Sequence, residues 1–172
     1  MEEWDLYDRE RLNTGKTVRK GERFNSEEFH LVVHVCMINA SDEMLIQQRQ
    51  PFKEGWPNMW DLTVGGGACK GESSHQAAER ELFEEVGYQA ELNHTRPIFT
   101  INFERGFDDY YVIEANPDLS QLRLQESEVQ AVKWASKSEI LKLIDDGDFI
   151  PYHHSVINMI FDTRKVFGAH AR

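Results

Sequence analysis

Apolar positions in this chain follow two different periods. The strongest run, Phe29 to Asn39 (FHLVVHVCMIN), is β-branched and nearly unbroken, the pattern of a buried strand. Ala40-Ser41-Asp42-Glu43 reads as a turn, and Met44 to Gln48 returns from it, so the two runs form a hairpin. Ahead of them, Trp4 to Tyr7 reads as a strand, Asn13-Thr14-Gly15 as a turn and Lys16 to Arg19 as the returning strand. Residues 50 to 59, with Pro51, Gly55 and Pro57, form a loop. Trp60 to Val64 is a short strand feeding a glycine run. Ala90 to Phe103, Asp108 to Ala115 and the alternating Val129 to Trp134 are further strands, and Pro117 to Ser127 is loop. Helical spacing appears after Ser73, where Ala77, Ala78, Leu82 and Val86 share a face. Ser73 with Gln76 reads as a capping box, which starts this helix near Ser74, and Gly87 supplies the left-handed stop. A second helix runs from Ser136 to Asp145 with Glu139 at its third position, and a last one from Pro151 to Phe167.

Strands mixed with a few helices predict a layered α/β fold, with helices on both faces of a sheet. No repeat, low-complexity tract or linker divides the chain, so residues 1–172 are expected to form one domain, with 1–28 as an N-terminal hairpin or extension. The 40% hydrophobic and 28% charged content is that of a globular domain large enough to bury a core.

A net charge of −11 argues against a nucleic-acid polymer as partner, because no basic field faces its backbone. A small nucleotide remains compatible, since a metal ion can supply positive charge locally. Cys36 and Cys69 form no CxxC pair, which points to a reducing compartment. The amino terminus is acidic without an apolar core, and no run approaches a membrane span. A soluble cytoplasmic enzyme is the expectation.

The chemistry is concentrated between residues 66 and 88. Glu81, Glu84 and Glu85 lie at i, i+3 and i+4, so they project from one side of the helix. Bare, they would repel one another and weaken it. A hard divalent cation such as Mg2+ or Mn2+ relieves that, taking oxygen ligands while leaving positions for phosphate oxygens and water. The plain alternative is a solvated acidic helix face.

The spacing decides between them. Gly66, five residues, Glu72, seven residues, then Arg80-Glu81-Leu82-Phe83-Glu84-Glu85-Val86-Gly87-Tyr88 resembles the signature GX5EX7REUXEEXGU of the Nudix hydrolases, where U is aliphatic. Tyr88 in the last aliphatic slot is the one departure. At this composition, chance would produce the match in roughly one in a million such chains. The resemblance implies an α/β/α sandwich around a mixed sheet. It implies Glu84 and Glu85 as metal ligands, Glu81 as ligand or general base, and Arg80 as the group that orients Glu81. Glu72 would be a more distant ligand through water. Gly66 and Gly67 would let the backbone approach metal and phosphate. The implied activity is hydrolysis of a nucleoside diphosphate linked to another moiety, with Mg2+ or Mn2+, on a small-molecule substrate. A homodimer is an expectation from family analogy alone.

The flanks narrow the resemblance. Leu45-Ile46-Gln47-Gln48-Arg49, Lys53 and Trp56-Pro57-Asn58-Met59-Trp60 look like the branch that includes isopentenyl-diphosphate isomerase. There an Arg and a Lys four residues apart hold the diphosphate, which Arg49 and Lys53 match, with Arg19 as a further basic candidate. That enzyme's acid/base thiol is missing, because Leu62-Thr63-Val64 stands in its place. Of the isomerase metal site's several histidines, only His30 has a counterpart. Glu126 and Glu128 occupy the place of a Glu-x-Glu pair that serves the metal or the acid/base step, or else they are loop residues in solvent. Asp108 and Asp109 are weaker candidates. His30 and His34 read as sheet residues before ligands. His153 and His154, at the start of the last helix, have no assigned role. Trp56, Trp60, Phe103, Phe107 and Tyr152 could stack on a base or anchor core and loops. The rivals to hydrolysis are a prenyl-diphosphate isomerase and a non-catalytic binding module of the same fold.

Overall fold

In the computed structural model, which describes residues 2–171, the long apolar run is strand β3 (His30–Ile38) at the centre of the main sheet. An N-terminal hairpin of β1 (Glu3–Tyr7) and β2 (Asn13–Arg19) forms its own two-stranded ribbon, tied to the start of the main sheet by paired backbone bonds between Tyr7 and Phe29. Its turn falls at Asp8 to Leu12 rather than at Asn13-Thr14-Gly15. The Asp8 carboxylate accepts from the amides of Glu10 and Leu12, both at 2.9 Å, and Arg11 takes the left-handed conformation at φ 65°. An aspartate bonding the backbone beyond it offers a tighter turn than the downstream glycine.

Strand β3 pairs in parallel with β8 (Gly106–Glu114) from His30↔Gly106 to Ile38↔Glu114. Its other edge is shared. β4 (Glu43–Arg49) pairs with it only at Ile38↔Met44, then diverges. Into the widening gap run β5 (Trp60–Asp61), paired to β4, and β6 (Val64–Gly67), paired to β3. β7 (Phe99–Phe103) lies against β8 and β9 (Val129–Ser136) against β4, completing a mixed sheet of seven strands.

The single strand expected over Trp60–Val64 is therefore two, and the glycines belong to the second. Because the chain crosses between diverging strands, it pairs first with one and then with the other. Thr63 bridges the crossing: its hydroxyl accepts from the Met37 amide at 2.9 Å and donates to the Leu45 carbonyl. Thr63 is fully buried. Thr63→Val, similar in shape, leaves both backbone groups without a partner and should cost about 3 kcal/mol in chemical denaturation. A loss below about 1 kcal/mol would show that the bridge is dispensable.

The strand expected over Ala90–Phe103 shrinks to β7. Residues before it form turns, with Thr95 N donating to Leu92 O at 2.8 Å, and Pro97 offers no amide to a ladder. Helix α1 (Ser74–Val86) has the Ser73/Gln76 capping box and ends at Gly87, φ 69°. Helix α2 (Lys137–Asp146) has the Ser136/Glu139 box and ends at Gly147. Helix α3 (His154–Thr163) is shorter than Pro151–Phe167, and no side chain caps its start.

The pleat of β3 sorts the core into two layers. Leu31, Val33, Val35 and Met37 pack with Ala77, Ala78, Leu82 and Val86 of α1. Cys36 and Ile38 pack on the opposite face with Ile140 of α2 and Ile157 and Ile160 of α3. The architecture is an α/β/α sandwich with a mixed central sheet. No helix among the described residues is long and apolar enough to cross a membrane.

Candidate active site

Strand β6 feeds helix α1 through a short loop, so the glycines and the helix carboxylates share one wall. Glu81 and Glu85 are buried despite their charge, at 7% and 6% exposure, whereas Glu84 reaches solvent. Gly66 makes room for Glu81: a Cβ there would stand 2.5 Å from the Glu81 carboxyl carbon.

Arg80 ties loop to helix. Its Nε donates to Glu72 at 2.7 Å, one terminal nitrogen to Glu81 at 2.8 Å and Glu84 at 3.1 Å, and the other to the Gly67 carbonyl at 2.9 Å. Glu72 also accepts from the Cys69 amide at 2.7 Å. Burial works against the Arg80 charge, but the bond to Glu72 and the charge of Glu81 outweigh it and hold the guanidinium firmly protonated.

Both buried carboxyls are pushed the other way. Burial raises Glu81, with only partial relief from Arg80. Burial, then the charge of Glu81, raises Glu85 well above the usual carboxylate range, although Gln47 donates to it at 2.7 Å. These two carboxylates are short of positive charge.

They open onto a cavity of about 280 Å³. Glu81, Glu84 and Glu85 come from α1, and Gly65 and Gly66 from β6. Arg49 and Lys53 face them from the end of β4 and its loop. Glu128, before β9, enters paired to Lys53. Arg80 also reaches the cavity. Eight of the residues expected from sequence therefore meet in one place.

Three others do not line it. Glu72 sits behind Arg80, and Gly67 turns its carbonyl to Arg80. Glu126 is exposed, because a turn in which the amides of Glu128 and Val129 both donate to the Gln125 carbonyl points Gln125 and Glu128 inward. The further cation is Lys20, not Arg19: the chain leaves β2 after Arg19, and Lys20 enters the cavity beside Glu2, 2.8 Å away. Nothing in the local sequence marks Lys20 or Glu2, since only the fold of the hairpin over β6 brings them in.

The weaker candidates take structural places. Asp109 is buried among Arg11, Thr100 and Ser74. Asp108 holds His34 at 2.7 Å. Phe107 is in the core and Trp60 lies under Lys133. His154 faces Asp145 at 3.0 Å.

As they stand, no three acidic, histidine or thiol groups among the described residues converge on one point tightly enough to hold an ion. Arg80 occupies Glu72, Glu81 and Glu84 instead. The donor set still suits a hard divalent cation: all-oxygen ligands, two of them buried and mutually repelling, beside a glycine that leaves the space Glu81 fills.

A family model described as the NUDIX domain matches residues 28–154. The chain belongs to the Nudix family. This Nudix hydrolase is 47% identical over 170 residues to an uncharacterized Nudix hydrolase of Listeria monocytogenes, a match spanning 99% of each chain. The isopentenyl-diphosphate Delta-isomerase of Escherichia coli is 27% identical over 123 residues, covering 67% of this chain and 66% of that one. In fold, the Nudix hydrolase resembles a crystal structure from Deinococcus radiodurans, with a TM-score of 0.75 at 18% identity, over 91% of this chain and 98% of that one. It also resembles a MutT protein from Methanosarcina mazei, with a TM-score of 0.59 at 19% identity, over 80% and 96%. Nudix hydrolases act on small-molecule nucleoside diphosphate derivatives and generally use divalent metal ions. The family match begins at residue 28, so the hairpin supplying Glu2, Trp4 and Lys20 to this Nudix hydrolase lies outside it.

Proposed function

We propose that this Nudix hydrolase cleaves a nucleoside diphosphate linked to another moiety, by attack of water on phosphorus. The observation that carries the reading is the convergence of Glu81, Glu84, Glu85 and Glu128 with Lys20, Arg49 and Lys53 around one cavity. A diphosphate needs both sets: cations for its oxygens, and carboxylates to hold the ion that neutralises it.

Bound Mg2+ or Mn2+ would be held by Glu84 and Glu85, with Glu81 and Gly66 beside it and Glu72 further back. It would supply charge for the phosphate oxygens and a more acidic water. The protein's own groups do the rest. Arg49 and Lys53 clamp the diphosphate as fork and point charge. Lys53 exchanges Glu128 for phosphate, which frees Glu128 to accept a proton or join the ligand set. Arg80 positions Glu81, which faces the cavity as the candidate general base. The acceleration comes chiefly from positioning and charge neutralisation.

The two thiols do not support isomerase chemistry. Cys36 is buried in the core beneath α2 and α3, and neither it nor Cys69 lines the cavity. Both cysteines are free, which fits a reducing cytoplasm.

The test is incubation with Mg2+ or Mn2+ and a panel of ADP-ribose, nucleoside triphosphates, dinucleoside polyphosphates, coenzyme A and prenyl diphosphates, in water labelled with heavy oxygen. The expected result is one label on the attacked phosphorus of a nucleotide product, and none after chelation. Double-bond migration without phosphate release would establish the isomerase, and binding without turnover under either metal would establish a non-catalytic module.

A further inference from the structure

Strands β7 and β9 form the outer edges of the main sheet. β9 pairs with β4 alone and is blunted by Lys133 and by a register shift opposite Gln48 and Arg49. β7 pairs with β8 alone, and its sequence, Phe99-Thr100-Ile101-Asn102-Phe103, carries no charge. An apolar edge left open in this way is a template for another strand.

The tight turn at Glu104-Arg105 fixes which backbone groups are free. A two-residue hairpin closes on a pair that exchanges both bonds, here Phe103 and Gly106. Alternation then aims the bonds of Phe103, Ile101 and Phe99 at β8 and those of Asn102 and Thr100 outward. Ile98 is an exception, because its amide also donates to Tyr110, at 2.7 Å, so the open edge begins at Thr100. Among the described residues, no backbone outside the sheet pairs with Thr100 or Asn102.

The side chains sort by face. Phe99 and Ile101 pack on the rim of the second core layer and share an apolar hollow of about 280 Å³ with Val156 and Met159 of α3. Phe103 meets His30 edge-on, ring centroids 5.5 Å apart, yet is 39% exposed, and Met159 is 43% exposed. Thr100 and Asn102 point to the α1 side, where the Thr100 hydroxyl donates to Asp109 at 2.6 Å.

The strand reads nearly alike in both directions. Laid antiparallel against a second copy, about a two-fold axis through Ile101, Phe99 meets Phe103 of that copy, Thr100 meets Asn102, and Ile101 meets its own counterpart. Thr100 and Asn102 then form the hydrogen-bonded pairs, so the outward groups satisfy one another. The apolar residues fall at the closer, non-hydrogen-bonded positions, where side chains pack best. A slip of one residue would set free groups against bonded ones and the apolar row against the polar one. Charge agrees with this register. Each chain carries a net charge of −11, so a second copy is repelled unless the contact itself is neutral. The strand has no charge, and past its ends exposed Glu104 faces Ile98 of the second copy, with exposed Arg96 at the next position on the same face. Opposite charges meet at both ends.

We infer that β7 is the seam of a two-fold dimer, pairing antiparallel with β7 of a second copy about Ile101 and joining the two sheets into one. The contact is isologous and uses up both open edges, so it closes at two copies instead of growing into a filament. No residue of β7 lines the acidic cavity.

Sedimentation velocity on the full chain at micromolar concentration tests the seam. Wild type should sediment as a dimer. Asn102→Pro should be a folded monomer, because Asn102 is exposed and proline there deletes an amide that bonds only across the seam. Ile101→Cys checks the register. A non-hydrogen-bonded pair on the axis sets the two Cα atoms about 4.5 Å apart, within disulfide reach. Mild oxidation should therefore give a covalent dimer on a non-reducing gel, and wild type, with Cys69 and the buried Cys36, should give none. A monomeric wild type, a folded Asn102→Pro that stays dimeric, or an Ile101→Cys without cross-link would overturn the seam. Should circular dichroism show Asn102→Pro misfolded, the cross-link alone decides: its formation supports the seam and its absence refutes it.

Discussion

Glu85→Gln is expected to abolish turnover and, in metal-free protein, to raise the melting temperature. Glu85 is 6% exposed, next to Glu81 on the same helix face, with one hydrogen bond from Gln47. Burial and the neighbouring charge raise its proton affinity in the folded state. For a carboxyl raised in this way, the stabilising contribution is fully present below the ordinary value of 4.5 and is lost as pH rises through the folded value. Wild type therefore carries the cost at neutral pH. Glutamine has the same shape, keeps an oxygen for Gln47 and has no charge to desolvate.

The melting temperature should rise by a few degrees at neutral pH, and the difference should vanish as pH falls below about 4.5. Excess Mg2+ should reverse the order. A ligand at 100 times its Kd stabilises by about 2.7 kcal/mol, and the variant loses most of that gain. Turnover should fall by at least about 1000-fold. Scanning calorimetry with and without chelator, beside an activity assay, checks both halves. Wild-type turnover would remove Glu85 from the metal site, and a lower metal-free melting temperature would remove the electrostatic account.

Gly66→Ala should cost about 100-fold in turnover while the protein stays folded. The backbone of Gly66 is not in the left-handed region, so alanine strains no dihedral there. Its methyl group instead falls on the Glu81 carboxyl, 2.5 Å from the carboxyl carbon. Glu81 has to leave the space and loosen its bond to Arg80. Overpacking of this kind costs about 1–3 kcal/mol, which a domain of ordinary stability survives. Turnover within about twofold of wild type, with folding confirmed by circular dichroism, would show that the position of Glu81 is not critical.

Most of the sheet was legible because its signals are local. The β3 run, the turn before β4 and the alternation of β9 each need only a short window. The misread places share one cause, competition from outside the window. Asp8 captured the hairpin turn ahead of Gly15, and residues 90–97 stay out of the ladder, which begins just past Pro97 where the Ile98 amide donates to the Tyr110 carbonyl at 2.7 Å. The divergence of β3 from β4 divided one expected strand into β5 and β6. The helix start near Ser74 and its stop at Gly87 were readable, since a capping box and a left-handed glycine act on bonds within one turn.

The acidic half of the candidate site was written in one dimension. Helical geometry alone places Glu81, Glu84 and Glu85 on one side, and the glycine spacing brings a strand end against them. The order of residues thus determined the family, the sandwich and the carboxylate face. The folded chain decided what those carboxylates meet. It chose Lys20 over Arg19, drew in Glu128 and left Glu126 in solvent, set Glu72 behind Arg80, and placed Trp4, Trp56 and Tyr152 together on the far face of the glycine strand. Those residues are brought together by strand pairing and loop path over long stretches of sequence, and no local periodicity encodes that.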